Sequence, residues 1–148
     1  MDKQEFVNNI LTRREAEQLI GTSSQNFTKT YLKTGRLKPV KEHGNGPGKV
    51  QLFWKGDILK MQFIKELEEL KGKEVTLLDL DNALQPAAES TSIFEYGKTD
   101  WENWKDGNKA AFSYKIEEDA DINVWFEIIT DNGISGDTVV KVLGWEQL

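Results

Sequence analysis

Ser24, Gln25, Asn26, Thr28 and Lys29 crowd hydrogen-bonding side chains into one short stretch of the chain. Gln and Asn amides can bond adenine bidentately, a Lys ammonium can reach guanine or a phosphate oxygen, and hydroxyls can serve either. An ordinary solvated helix also has such a polar face, so what the stretch does depends on what surrounds it. Arg36, Lys38, Lys41, His43 and Lys49 form a second set, placing positive charge around the Gly-rich run KEHGNGPG. That chemistry suits the phosphate backbone of a nucleic acid, where such contacts set register rather than sequence. Arg13 and Arg14, just upstream, complete the candidate DNA-contacting residues. A nucleotide-phosphate loop is a competing reading of GNGPGK, but the run lacks the Gly spacing and the Ser/Thr after Lys that such a loop requires.

The flanking elements suit these residues to a common surface. Thr12 followed three residues later by Glu15 is a capping box, which predicts a helix from Arg13, with Ala16, Leu19 and Ile20 on one face and Gly21 ending it. Thr22, Ser23 and Ser24 offer a second N-cap, and Phe27, Tyr31 and Leu32 supply an apolar stripe before Gly35. Two short helices joined by a tight turn are expected. Arg36–Val40 and Lys49–Phe53 then read as antiparallel strands of a hairpin. Asp57 can cap a third helix to about Lys71, with Ile58, Leu59, Phe63, Ile64, Leu67 and Leu70 on its apolar side. That stripe closes a small core; as a dimerising coiled coil it spans only about two heptads of the three or four required.

The run from Leu11 through Asp57 resembles the winged helix-turn-helix of the MerR and excisionase-like families. The LT start, Glu15-Ala16, Leu19-Ile20-Gly21, Ser23, the GRL of Gly35 to Leu37, Pro39-Val40 and Phe53 ahead of Asp57 carry the resemblance. The resemblance implies that the second helix, Ser24 to Lys29, enters the major groove, and that a basic wing, Lys38 to Lys49, grips the flanking backbone. The Gly21 to Gly35 interval is slightly longer than that pattern. The sensing part of full-length MerR regulators has no counterpart, so the excisionase-like subset is the nearer likeness, and small regulators of phages and other mobile elements are the nearest functional analogues.

Charge divides the chain. Residues 1–73 carry 14 Lys+Arg against 9 Asp+Glu, whereas residues 74–148 carry 5 against 16. The expected domains are therefore 1–73, binding double-stranded DNA, and 74–148, an acidic module for a protein partner. Lys71-Gly72-Lys73 reads as a hinge, with the boundary somewhere in 71–92. Val75–Leu84 reads as a helix capped by Thr76, and Thr99 or Asp100 caps a brief helix bearing Trp101 and Trp104 that ends at Gly107. Three strands follow, Ala110–Ile116, Ile122–Thr130 and Thr138–Leu143, with DNG at 131–133 as a turn. The fold class is α+β, with short helices on a three-stranded antiparallel sheet. The aromatics of this half (Phe94, Tyr96, Trp101, Trp104, Phe112, Tyr114, Trp125, Phe126, Trp145) read as core, because a stacking platform for single strands would also need a positive groove.

Glu117, Glu118, Asp119 and Asp121 cluster at a strand-to-strand turn, as a solvated acidic turn or a contact for a partner; their spacing does not make a calcium loop. With one His, no Cys and no paired catalytic motif, neither an enzyme nor a cofactor or metal site is expected. The N-terminus has no signal-peptide core and no window reaches the roughly 18 apolar residues of a membrane span, so a cytoplasmic protein is expected. Its expected role is a sequence-specific DNA-binding regulator or accessory factor whose oligomeric state, monomer or dimer on DNA, is left open. The alternative is a phage inhibitor of the anti-CRISPR or DNA-mimic type, whose acidic domain blocks a host nucleic-acid enzyme while the helix-turn-helix serves autoregulation.

Overall fold

The computed structural model describes residues 3, 8–44, 46, 49–88, 92–117 and 120–147. The protein is α+β, with two antiparallel sheets of three and five strands. It divides into two compact units, 1–62 and 63–148. Each keeps its own charge: the first holds 11 Lys+Arg against 6 Asp+Glu, the second 8 against 19, so their net charges are +5 and -11.

In the first unit β1 (Ile10–Thr12) leads directly into α1 (Arg13–Ile20). The capping box forms as expected: the Glu15 N–H donates to Thr12 Oγ1 at 3.2 Å and the Thr12 N–H donates to Glu15 Oε1 at 3.0 Å. Gly21 ends α1 at φ 79°, where the N–H groups of Gly21 and Thr22 both reach the Glu17 carbonyl. After the turn, α2 (Ser24–Asn26) is capped by Ser23 and runs on into a π-helical stretch, Phe27–Leu32. There the Lys33 N–H reaches back five residues to the Thr28 carbonyl at 2.9 Å. This wide turn absorbs the extra length between Gly21 and Gly35 while keeping both Phe27 and Tyr31 buried. Gly35, at φ 76°, ends the helix.

The hairpin starts later than expected. Leu37 is buried and its N–H turns back to the Tyr31 carbonyl at 3.0 Å, and Pro39 has no N–H to offer a ladder. Arg36 to Pro39 is therefore not a strand. Pairing begins where the Val40 N–H donates to the Leu52 carbonyl, and β2 (Lys41–His43) lies against β3 (Val50–Trp54) with Glu42 opposite Gln51. β1 pairs with the other edge of β3. Among the described residues of this unit, Ala16, Ile20, Phe27, Tyr31, Leu37, Phe53, Ile58 and Met61 are buried and apolar, with the Phe27 and Phe53 rings edge-to-face at 5.4 Å. Burying each of those rings stabilises the unit by about 2 to 3 kcal/mol.

α3 (Lys55–Leu70) starts straight from β3, so Asp57 lies in its first turn rather than at its cap. The division between the units falls within this helix, not after residue 73. Lys71 to Lys73 is not a hinge: the Gly72 N–H donates to the Val142 carbonyl at 2.9 Å, and the Lys71 ammonium lies over the Trp145 ring.

The second unit has a five-stranded sheet rather than a three-stranded one. Its order is β4 (Glu74–Thr76), β8 (Val139–Gln147), β7 (Ala120–Thr130), β6 (Lys109–Glu117) and β5 (Lys105–Asp106). The three long strands were expected; the two short ones have too few residues to show a period of two. The start of the segment read as a helix from Val75 instead pairs with β8, and Thr76 caps α4 (Leu77–Leu84) by accepting from the Asp79 N–H. α5 (Lys98–Trp104) follows Gly97, whose N–H donates to Asp100, and stops at Trp104 because Gly107 (φ 66°) serves the β5–β6 hairpin.

Alternate residues of the sheet (Phe112, Tyr114, Val124, Phe126, Val140 and Val142) are buried, as are Phe63, Leu67, Leu80, Leu84 and Trp101 from the helices. Phe63 meets Tyr114 at 5.3 Å and Trp101 stacks on Phe126 at 6.3 Å, so these four belong to the core, whereas Tyr96 of the expected aromatic core is exposed and Trp125 lies on the outer sheet face. Asp81 is buried among them and accepts from Ser92 Oγ, Tyr114 Oη and the Ile93 N–H.

Candidate nucleic-acid interface

The capped turn and the π-helical stretch decide which side chains of the second helix share a face. Ser24, Gln25, Thr28 and Lys29 line one open groove of about 480 Å³ together with Lys33. Lys33 was not among the residues singled out from sequence. It joins them four residues after Lys29 and eight after Gln25, a spacing that keeps all three on one helical face and was legible in the sequence. Asn26 is exposed but does not line the groove. Its amide donates to Thr22 Oγ1 at 2.6 Å and accepts from Thr30 Oγ1 at 2.8 Å, so it braces the turn.

Arg13 sits at the start of α1 and its guanidinium is used internally. Nε donates to Glu17 at 2.8 Å, one Nη to Gln51 Oε1 at 3.1 Å, and the other to the Ser24 carbonyl at 3.0 Å, to Ser24 Oγ and to Thr28 Oγ1. The group also lies 5.2 Å from the Phe27 ring centroid. A planar fork with five donors can hold a helix start, a helix face and a strand at once. Arg14, one residue on, is exposed.

The hairpin register separates its cations. Lys41 pairs with Leu52 and His43 with Val50, and these four residues line a hollow of about 300 Å³. Glu42 and Gln51 point to the other face, where Gln51 Nε2 donates to Glu42 Oε1 at 2.9 Å. Lys49 is exposed and bridges Glu42 Oε2 at 2.9 Å. Its ammonium and the Gln51 amide hold the Glu42 carboxyl below its ordinary value. Lys38 is exposed, and Arg36 places its guanidinium over the Tyr31 ring; both line a hollow of about 210 Å³ with Asp57 and Lys60. Burial raises the Asp57 carboxyl, and the Lys60 charge opposes that shift.

In the acidic unit, Glu118 and Asp119 lie outside the described residues, Glu117 ends β6, and Asp121 is exposed opposite Lys115. Among the described residues no group of three or more His, Cys, Asp or Glu is placed to hold a metal ion. The outer face of the sheet intersperses signs, with Lys109 opposite Glu127 and Glu127 opposite Lys141. At its centre Trp125 lies on Gly144. A hollow of about 540 Å³ in this unit is lined by Tyr96, Trp101, Glu102, Asp131 and neighbours. Asp131 there accepts from Trp101 Nε1, Lys105 Nζ and the Gly133 N–H. Its carboxyl is lowered, first by the Gly133 N–H and then by Lys105.

Comparison with protein-family models, curated proteins and solved structures yields no match to this chain. Among the described residues, no helix is long and apolar enough to cross a membrane.

Proposed function

We propose that the first unit is a winged helix-turn-helix that binds double-stranded DNA sequence-specifically, and that the protein is a non-enzymatic regulator or accessory factor of the excisionase-like kind. The observation that carries this reading is the gathering of Ser24, Gln25, Thr28, Lys29 and Lys33 on one open groove, within a unit of net charge +5. Amide, hydroxyl and ammonium groups on one helical face match the donor and acceptor pattern of base edges in a major groove. Lys38 and Lys41 supply backbone contacts beside it, with Arg13 holding the helix in place instead of touching DNA.

Selection of duplexes from a random library by the full-length protein tests the reading. An enriched motif is expected, bound with steep salt dependence and weakened by Lys29→Ala with Lys33→Ala. Recovery of no motif, with affinity indifferent to salt, would overturn it.

A second reading draws on the net charge of -11 in residues 63–148: this unit contacts a basic protein partner, as an inhibitor that imitates a phosphate backbone would. The alternating signs on the outer sheet face are unlike a phosphate backbone, so contact with a partner is favoured over mimicry. Capture of a basic nucleic-acid-binding protein by the full chain, released by added duplex, is the outcome expected of mimicry; capture unaffected by duplex excludes it.

A further inference from the structure

A continuous series of polar contacts joins the second helix to the hairpin. Ser24 and Thr28 accept from Arg13, Gln51 accepts from the same guanidinium and donates to Glu42, and Glu42 holds Lys49. Two features of this series are unexpected on a DNA-binding surface. An arginine beside the recognition face spends its donors on protein acceptors, and a carboxylate lies within a basic wing, where it repels phosphate and occupies a lysine.

We propose that Arg13 is a positioning residue that fixes the hairpin against the second helix, and that Glu42 masks Lys49 from the phosphate backbone. The inference rests on the DNA-binding reading above and adds the source of its selectivity. Base readout requires the helix face and the wing to meet the duplex in one register, and a wing free to move would let each make phosphate contacts without the other. The guanidinium reaches acceptors on α2 and β3 through separate nitrogens in a fixed plane, which a lysine ammonium cannot reproduce. Glu42 lowers affinity for any duplex equally, since the Lys49 charge it occupies carries no sequence information. Selectivity therefore comes from geometry at the Arg13 end, whereas the Glu42 end sets the overall strength of backbone binding.

The test measures binding of the full chain to a selected duplex and to a random duplex across a salt series, with Arg13→Lys, Arg13→Gln and Glu42→Gln. Arg13→Lys and Arg13→Gln should each lose about tenfold or more of the preference for the selected duplex, a loss of about 1.4 kcal/mol. The salt slope of Arg13→Gln should match wild type, because no phosphate contact is lost. Glu42→Gln should bind random duplex more tightly, with a slope steeper by about 0.9, as one more lysine reaches a phosphate. Retained preference in Arg13→Lys, or a shallower slope in Arg13→Gln, would identify Arg13 as a simple cation on DNA and overturn its positioning role. An unchanged slope in Glu42→Gln would overturn the masking role. If Arg13→Gln does not fold, Arg13→Lys and the exposed Glu42→Gln still decide both points. A wild-type protein that prefers no duplex removes the DNA-binding reading and this inference with it, whereas wild-type preference kept by both Arg13 variants removes the positioning role alone.

Discussion

A carboxylate buried in an apolar core is stable only with its acceptor oxygens occupied, and Asp81 meets that condition through Ser92, Ile93 and Tyr114. Asp81→Ala strands a buried phenol and a backbone N–H, so a loss of about 2 to 4 kcal/mol is expected in denaturant unfolding. The same contact sets the behaviour of Tyr114. Burial first, and the adjacent Asp81 carboxylate second, hold its phenol well above the ordinary 10.0. A raised value in the folded state means that the neutral phenol contributes stability in full below pH 10 and loses it as pH rises further. Phenolate absorbance should therefore show that Tyr114 ionises only together with alkaline unfolding, and that Tyr114→Phe removes this late step. The acid side has the opposite sign. Glu15, Glu42 and Asp131 have lowered values in the folded state, so their contributions are present above their ordinary values of 4.5, 4.5 and 3.8 and fade as pH falls below them. All three are exposed, and the effect on the acid midpoint should shrink in high salt.

Caps, turns and bulges determine how each element presents its residues. Thr12 satisfies the Glu15 N–H at the start of the helix that carries Arg13, and Thr12→Ala should cost about 1 kcal/mol in thermal unfolding. On β8, Gly144 is required by packing: a Cβ there would come within 2.9 Å of the Trp125 indole. Gly144→Ala should displace that ring, changing the Trp fluorescence and destabilising the unit by about 1 to 3 kcal/mol. Unchanged emission and stability would mean that Trp125 does not rest on the strand. The π-helical stretch carries Phe27 and Tyr31, both buried, on one side, and Thr28 and Lys29 on the open groove, with Lys33 just beyond its end on the same groove.

At the scale of the molecule, a unit of +5 and a unit of -11 share one chain. An acidic neighbour lowers the local concentration of DNA around a basic one, and salt screens that repulsion over about 10 Å at 0.1 M. On the proposed DNA-binding reading, contacts by Lys29, Lys33, Lys38 and Lys41 would give a slope of log K against log salt of about -3 to -4. A fluorescence-anisotropy series on random duplex checks this; a slope near zero would exclude backbone contact by these lysines.

The capping box at Thr12, the stops at Gly21 and Gly35, the long strands β6 to β8 and the division of charge were legible in the sequence, because each depends on neighbours within a turn or on a period of two. The short strands β4 and β5 were not, since two or three residues carry no period and take their pairing from β8 and β6. Nor did local pattern reveal where the units divide, because α3 runs through the division with an uninterrupted apolar stripe. The candidate site shows the same limit. Residue types nominated Arg13, Asn26 and Lys49 as readily as Gln25 and Lys29, since all carry suitable donors. Only tertiary structure turned Arg13 toward Gln51 and Thr28 and bound Lys49 to Glu42, because a hydrogen-bonding side chain is committed by the acceptors that folding brings to it, whereas Asn26 is held by Thr22 and Thr30, each four residues away along the helix.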